Sequence, residues 1–518
     1  MTKEKIASKD IWGWKVLRPG VFFPATILLL LTVILNLLDY EAFVRVTTTM
    51  KDFMVVDMGW LFSIAGVLSL ILIVAVYFSP LGNVRLGGAE AKPILSKPSW
   101  FAVTLCTTIA AGILFWGTAE PMWHLAYPPA SLGIEPLSPE AARFAMETMF
   151  LHWTFIPYAL YAVPTIVFAF AYYNMNRSFS VGSQIAPLVS VSRQKKMNGL
   201  IDSVVLLTVA AGIASSFGTA VMNMGGGLNA IWGLENSQFL WIVITVIGTV
   251  AFIISSSTGL LKGIRILSDI NVYIYYVIIG LLLILGPTVY FFSLGTEALG
   301  GFMDNLFSKA LFTGAAAKDT WASGWTMFYW SNWMAWAPVS AVFLARISYG
   351  YKVKEVVTMN FFIPALFSTV WMTILSGTAI NFQMTGRVDI IARMNEQGSG
   401  AAAYAVLGEL PLSGLVIGLY LVAVMISFIT ATDSTTNAMA SICTTGIRSG
   451  RQEAPLMIKI FWGVVIGVVS LVFTTALGLD GIKMMSYLGG FPALFLGLFS
   501  LVSLIRILMN PGRYDKKA

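Results

Sequence analysis

The residues best suited to chemistry are aromatic and lie in the stretch 323–346, SGWTMFYWSNWMAWAPVSAVFLAR. Trp325, Trp330, Trp333 and Trp336 stand there with Phe328 and Tyr329 between them, in a run apolar enough to enter a bilayer. On a helix Trp333 and Trp336 are three apart and share a face, and Phe328 and Tyr329 can approach the same stripe. Ring faces turned toward one cavity attract a cation through the ring quadrupole, and a quaternary ammonium suits such a cage because it cannot donate a conventional N–H hydrogen bond. The competing reading is an aromatic belt at the membrane interface, the usual reason for Trp and Tyr in a membrane protein. Belts sit at the ends of spans, whereas these residues run into the first half of one.

Other polar and aromatic residues gather in three further apolar runs. The first, Cys106 to Pro121, has small residues at Ala110, Ala111 and Gly112, which permit close packing and a locally unwound backbone. It ends in Glu120, and a carboxylate within a membrane span invites a functional reading, here a structural or gating one. The second begins His152, Trp153, Thr154 and continues through Tyr158 and Tyr161. His124 and His152 are the two histidines of the chain. With no neighbouring ligand set in the sequence, they read as hydrogen-bonded structural residues and no metal is expected. The third holds Ser427, Thr430 and Thr432, hydroxyl oxygens of the hard type that an alkali cation requires, or else ordinary helix-packing hydroxyls, with Asp433 after them to anchor the helix end.

The elements that must position these residues follow from composition. Of 518 residues 57% are hydrophobic and 11% charged, with a mean hydropathy of +0.79; a soluble domain has about a quarter charged residues. The chain reads as an all-α integral membrane protein folded as a single packed bundle. Twelve apolar segments can cross a core of about 30 Å, which takes roughly 20 helical residues: 20–38, 58–78, 100–119, 149–173, 201–223, 238–257, 271–293, 323–345, 356–376, 412–440, 457–477 and 484–507. The amphipathic segment 298–313 is expected to rest on the outer interface. Most of the 32 Lys and Arg residues fall in alternate loops, which places both termini in the cytoplasm and accounts for the net charge of +7 without nucleic acid. The two cysteines lie in or beside apolar spans and read as small core residues. No cleavable signal peptide precedes the first span, so that helix is expected to be retained.

Gly324-Trp325-Thr326-Met327-Phe328-Tyr329-Trp330-Ser331-Asn332-Trp333 resembles the signature of the betaine/carnitine/choline transporters, Asn332 standing where that family usually has Trp. Phe343-Leu344-Ala345-Arg346-Ile347-Ser348, the run ending Phe115-Trp116-Gly117 before Glu120-Pro121, the His152-Trp153 stretch and Lys262 to Asn271 are also similar to it. The resemblance implies two accessory helices (20–78), then two inverted five-helix repeats, spans 3–7 (100–293) and 8–12 (323–507), as in sodium-coupled amino-acid transporters. Short cytoplasmic tails, 1–19 and 508–518, would flank them, without the long charged tails by which some relatives sense osmotic conditions. A homotrimer in the bacterial inner membrane is implied as well.

On the same resemblance, a trimethylammonium group would sit among Trp333, Trp336, Phe328, Trp123, Trp153, Tyr158 and Tyr161, with Asn332 offering a polar handle. A coupling cation, Na⁺ or H⁺, would meet carbonyls of Ile109 and Ala110, the Thr430 hydroxyl and the neighbourhood of Asn271, whose place in the sodium-independent carnitine exchanger is taken by Arg. Val209 and Ile213 stand where relatives carry the two hydroxyls of an additional sodium site, so that site is expected to be absent. The activity expected is cation-coupled uptake of betaine, choline, carnitine or a related compound by alternating access, with carnitine/γ-butyrobetaine-type exchange as the alternative. A membrane enzyme built on Glu120, His124 and His152 lacks a nucleophile, and a channel lacks a repeated filter motif.

Overall fold

The computed structural model describes residues 16–108, 112–257, 260–445 and 454–517, and among them the apolar runs fold as α-helices with no strand. In hydrocarbon every backbone N–H and C=O must be satisfied internally, and a helix does this within one segment. Two isolated bridges, Leu17 with Thr444 and Arg85 with Lys352, tie loops together.

The chain opens with α1 (Pro19–Leu38), α2 (Tyr40–Lys51) and α3 (Gly59–Phe78). Next come α4 (Lys97–Thr108), α5 (Gly112–Ala126), α6 (Pro139–Trp153) and α7 (Phe155–Tyr173). Then follow α8 (Val191–Trp232), α9 (Gln238–Ser257), α10 (Leu260–Leu285) and α11 (Thr288–Ala310). The second half holds α12 (Trp321–Gly324), α13 (Thr326–Ile347), α14 (Val353–Val357), α15 (Ile363–Met384), α16 (Ile390–Gln397) and α17 (Ala401–Gly408). It closes with α18 (Ser413–Ile442), α19 (Leu456–Leu477), α20 (Leu479–Met509) and α21 (Pro511–Tyr514).

Among the described residues nine helices are long and apolar enough to cross a membrane, ten if one bent pair counts as a single span. The expected third, seventh and eighth spans are not among the nine, and the seventh is the bent pair. The expected third span covers α4 and the first part of α5, with residues 109–111 between them outside the described part. The fourth breaks at Thr154 (φ −117°, ψ −111°). Pro157 explains this, since its ring clashes with the carbonyl four residues back and its missing N–H leaves that carbonyl unbonded. The eighth breaks at Trp325 (φ −125°, ψ −69°), between α12 and α13. The expected span 271–293 is cut by a 104° bend between α10 and α11, at Gly286-Pro287. The separate segment expected at 298–313 is the second half of α11.

Helix α13 lies inside the bundle, packed against α20, α7 and α8. Its contact with α20 depends on glycine: a Cβ at Gly490 would lie 2.3 Å from the Cα and the carbonyl oxygen of Ser331. That backbone-to-backbone approach brings the aromatic face of α13 into the middle of the molecule.

Candidate functional site

Trp333 is the hub of a buried ring cluster. Its centroid lies 5.7 Å from that of Trp153, 5.6 Å from Tyr158 and 5.1 Å from Tyr161. The break at Thr154 assists directly, because it takes the His152 carbonyl out of the helical ladder. Trp333 Nε1–H donates to that carbonyl at 3.1 Å. The Tyr158 hydroxyl meets Ser368 Oγ at 2.8 Å. Four of the residues expected in the cage are thus brought together on α6, α7 and α13, packed edge-to-face or tilted against Trp333.

Below the rings sits a carboxylate. Glu120 is fully buried. Its Oε1 accepts from His124 Nε2 at 3.0 Å and His152 Nδ1 at 2.7 Å. Its Oε2 accepts from Trp153 Nε1 at 2.7 Å and from the Tyr329 hydroxyl. An ionised carboxylate only accepts, so each histidine nitrogen facing it carries a proton, and four donors fill its lone pairs. His152 Nε2 then takes the Thr326 hydroxyl at 3.1 Å. One acid thereby fastens α5, α6 and α13 around the aromatic cluster. Ligand atoms of Glu120, His124 and His152 lie within 4.8 Å of one another. This corrects the reading that neither histidine has a neighbouring ligand set: residues 28 positions apart in sequence, on α5 and α6, meet in the folded bundle.

Phe328 and Trp123 belong to a second group, centred on Trp325. Trp325 lies 6.1 Å from Trp116, 6.4 Å from Trp123 and 4.8 Å from the His124 ring. Phe328 lies 5.3 Å from Trp116, and Trp123 Nε1 donates to Ser399 Oγ at 3.2 Å. Tyr329 joins the two groups, 4.7 Å from Phe328 and 5.3 Å from Trp153. Lys483, in the second turn of α20, sets its Nζ 3.6 Å from the Trp325 ring centroid. The span drawn from position 484 begins one residue past this lysine and leaves it among loop charges; an ionisable side chain at the start of an apolar run was the available signal.

Two expected members turn elsewhere. The Trp336 indole lies against α8, where a Cβ on Gly212 would be 3.5 Å from Trp336 Nε1. Asn332 Nδ2 donates to Ser486 Oγ at 2.9 Å, and Ser486 meets Ser215 Oγ at 2.8 Å, a polar thread joining α13, α20 and α8. One residue along a helix turns about 100°, which separates Asn332 from the Trp333 face.

Of the cation candidates, Ile109 and Ala110 lie outside the described residues. The Thr430 hydroxyl donates to the Ile426 carbonyl of its own helix at 2.8 Å. Asn271 Nδ2 donates to Ser427 Oγ at 2.8 Å and to Tyr275 OH at 3.2 Å, which places it one turn from Thr430 across the α10–α18 contact. Val209 and Ile213 are buried and apolar.

The profile of betaine/carnitine/choline family transporters matches residues 20–513. The chain is similar to the ectoine/hydroxyectoine transporter of Virgibacillus pantothenticus, 27% identical over 498 residues, covering 96% of this chain and 97% of that protein. It is 29% identical over 462 residues to glycine betaine transporter 1 of Vibrio parahaemolyticus, covering 89% and 87%. An osmo-dependent choline transporter of Acinetobacter baylyi is 26% identical over 494 residues, covering 94% of this chain and 71% of that protein.

Proposed function

The chain belongs to the betaine/carnitine/choline transporter family, and from that premise we propose that it takes up a quaternary ammonium compound by alternating access, coupled to Na⁺ or H⁺. It is a membrane transporter, as the family and the relatives are, and not an enzyme. The observation that carries the substrate reading is the buried group of Trp153, Tyr158, Tyr161 and Trp333, whose rings can offer faces to a cation without a hydrogen-bond donor. Three relatives act on betaine, choline or ectoine by name. The helix breaks at Thr154 and Trp325 support the transport reading, since interrupted helices line the sites of transporters built on repeats. Two inverted five-helix repeats, twelve spans, both termini in the cytoplasm, a bacterial inner-membrane location and a homotrimer complete the proposal.

Uptake of labelled betaine, choline and carnitine into proteoliposomes, with and without a Na⁺ or pH gradient, tests it. The expected result is accumulation of at least one compound that collapses when the coupling gradient is removed. Gradient-independent exchange against internal substrate would replace coupled uptake with an exchanger, and no uptake or binding of any of them would overturn the substrate class.

A further inference from the structure

Lys483 is 8% exposed, with its Nζ 3.6 Å from the Trp325 ring centroid and 5.7 Å from that of Phe328. Trp325 stands at the non-helical joint between α12 and α13. Tyr487, one turn beyond the lysine, donates its hydroxyl to the Ser323 carbonyl at 3.3 Å, so the first turns of α20 close over α12, just before the joint at Trp325. Among the described residues no carboxylate pairs with the ammonium. Glu120 is saturated by four other donors, and Asp480 lies on the same helix without bridging to it. A ring face offsets part of what an ammonium loses on leaving water, yet a desolvated charge without a counter-ion remains costly. The Trp325 group, which Tyr329 joins to the Trp333 cluster, is therefore already loaded with a tethered cation, and among the described residues no carboxylate bridges to that cation.

We propose that Lys483 is the receptor for a carboxylate carried by the substrate, which makes the transporter select zwitterions with both a quaternary ammonium and a carboxylate over cations that lack the carboxylate. The proposal rests on the quaternary ammonium reading above and narrows it. A carboxylate draws the ammonium off Trp325 into a charge-assisted hydrogen bond, and the ring face it covered, continuous through Tyr329 with the Trp333 cluster, opens to the onium end of the same molecule. A purely cationic substrate must displace Lys483 or bind beside it, and like charges in a site of low dielectric repel.

Glycine betaine and choline make a clean pair of probes, because they share the trimethylammonium head and differ in carboxylate against hydroxymethyl. The full chain in proteoliposomes is compared with Lys483→Met, Lys483→Gln and Lys483→Arg, by uptake competition and by the ligand-induced shift of thermal unfolding. In the wild type betaine should outcompete choline. The Met and Gln variants should lose about tenfold or more in apparent affinity for betaine while choline binding is kept or improved, and Arg should retain the preference. A betaine-to-choline ratio unchanged in Lys483→Met and Lys483→Gln, or equal losses for both ligands, overturns the lysine's role and leaves the proposed function standing. Failure of the wild type to take up, or be stabilised by, either compound overturns the proposed function and the lysine proposal together.

Discussion

Glu120 shows how a single acid can be tolerated in the interior of a membrane bundle. Two imidazoles, an indole and a phenol each donate to it, so its charge is matched by four hydrogen bonds. Glu120→Gln keeps the shape but turns an amide N–H₂ toward donors that need an acceptor. The unpaired groups should cost roughly 3–5 kcal/mol, the size seen when one partner of a buried charged set is removed. Thermal unfolding in detergent should show that loss, with uptake falling in parallel. An unchanged melting temperature would mean that the carboxylate is not the fastening of α5, α6 and α13. Trp333 is held in the same way, by the carbonyl that the Thr154 break releases, so its ring position is set by backbone as well as by packing.

At the scale of elements, the site is a product of interrupted helices brought close by small residues. Gly490 is the clearest case, because no other residue fits where α20 meets the backbone of Ser331. Gly490→Ala should push α13 away from α20 and lower stability by about 1–3 kcal/mol, the usual range for overpacking. Gly497, on the same helix, has nothing within 4 Å of its would-be Cβ. Gly497→Ala therefore serves as the control and should leave both melting temperature and uptake unchanged. Equal effects of the two substitutions would show that helix propensity, not close approach, governs this pair.

Across the whole molecule, loops far apart in sequence are tied at one end of the bundle. Asp319, before α12, accepts from the Ser131 backbone N–H at 2.9 Å and its hydroxyl at 2.7 Å, and from the Trp321 N–H at 2.9 Å. Burial opposes ionisation of this carboxyl, but those three donors outweigh it and hold Asp319 below the ordinary aspartate value. A depressed pKa stabilises the folded state above the unfolded value, about 4, and that contribution fades as pH falls through the folded value. The melting temperature of the wild type should therefore exceed that of Asp319→Asn by a constant margin at neutral pH, and the margin should shrink below about pH 4. A margin that does not vary with pH would assign the tie to hydrogen bonding alone. At the other end Arg18 bridges to Asp202 at 2.7 Å and donates to the Ile442 carbonyl at 2.7 Å, joining the start of α1 to α8 and α18.

Membrane class, helical composition and the aromatic stretch of α13 were legible in the chain because hydropathy and side-chain type are local properties. So was the gathering of Trp153, Tyr158 and Tyr161 toward Trp333, which the family motif implied and the ring distances place in one cluster. Helix breaks at Thr154 and Trp325 escaped it, since a window of mean hydropathy averages over a bent residue. The partners of Glu120, the turn of Asn332 toward Ser486 and the seat of Lys483 on Trp325 depend on which helix faces which. That choice is made by the packing of residues distant in sequence, and no reading of neighbours along the chain contains it.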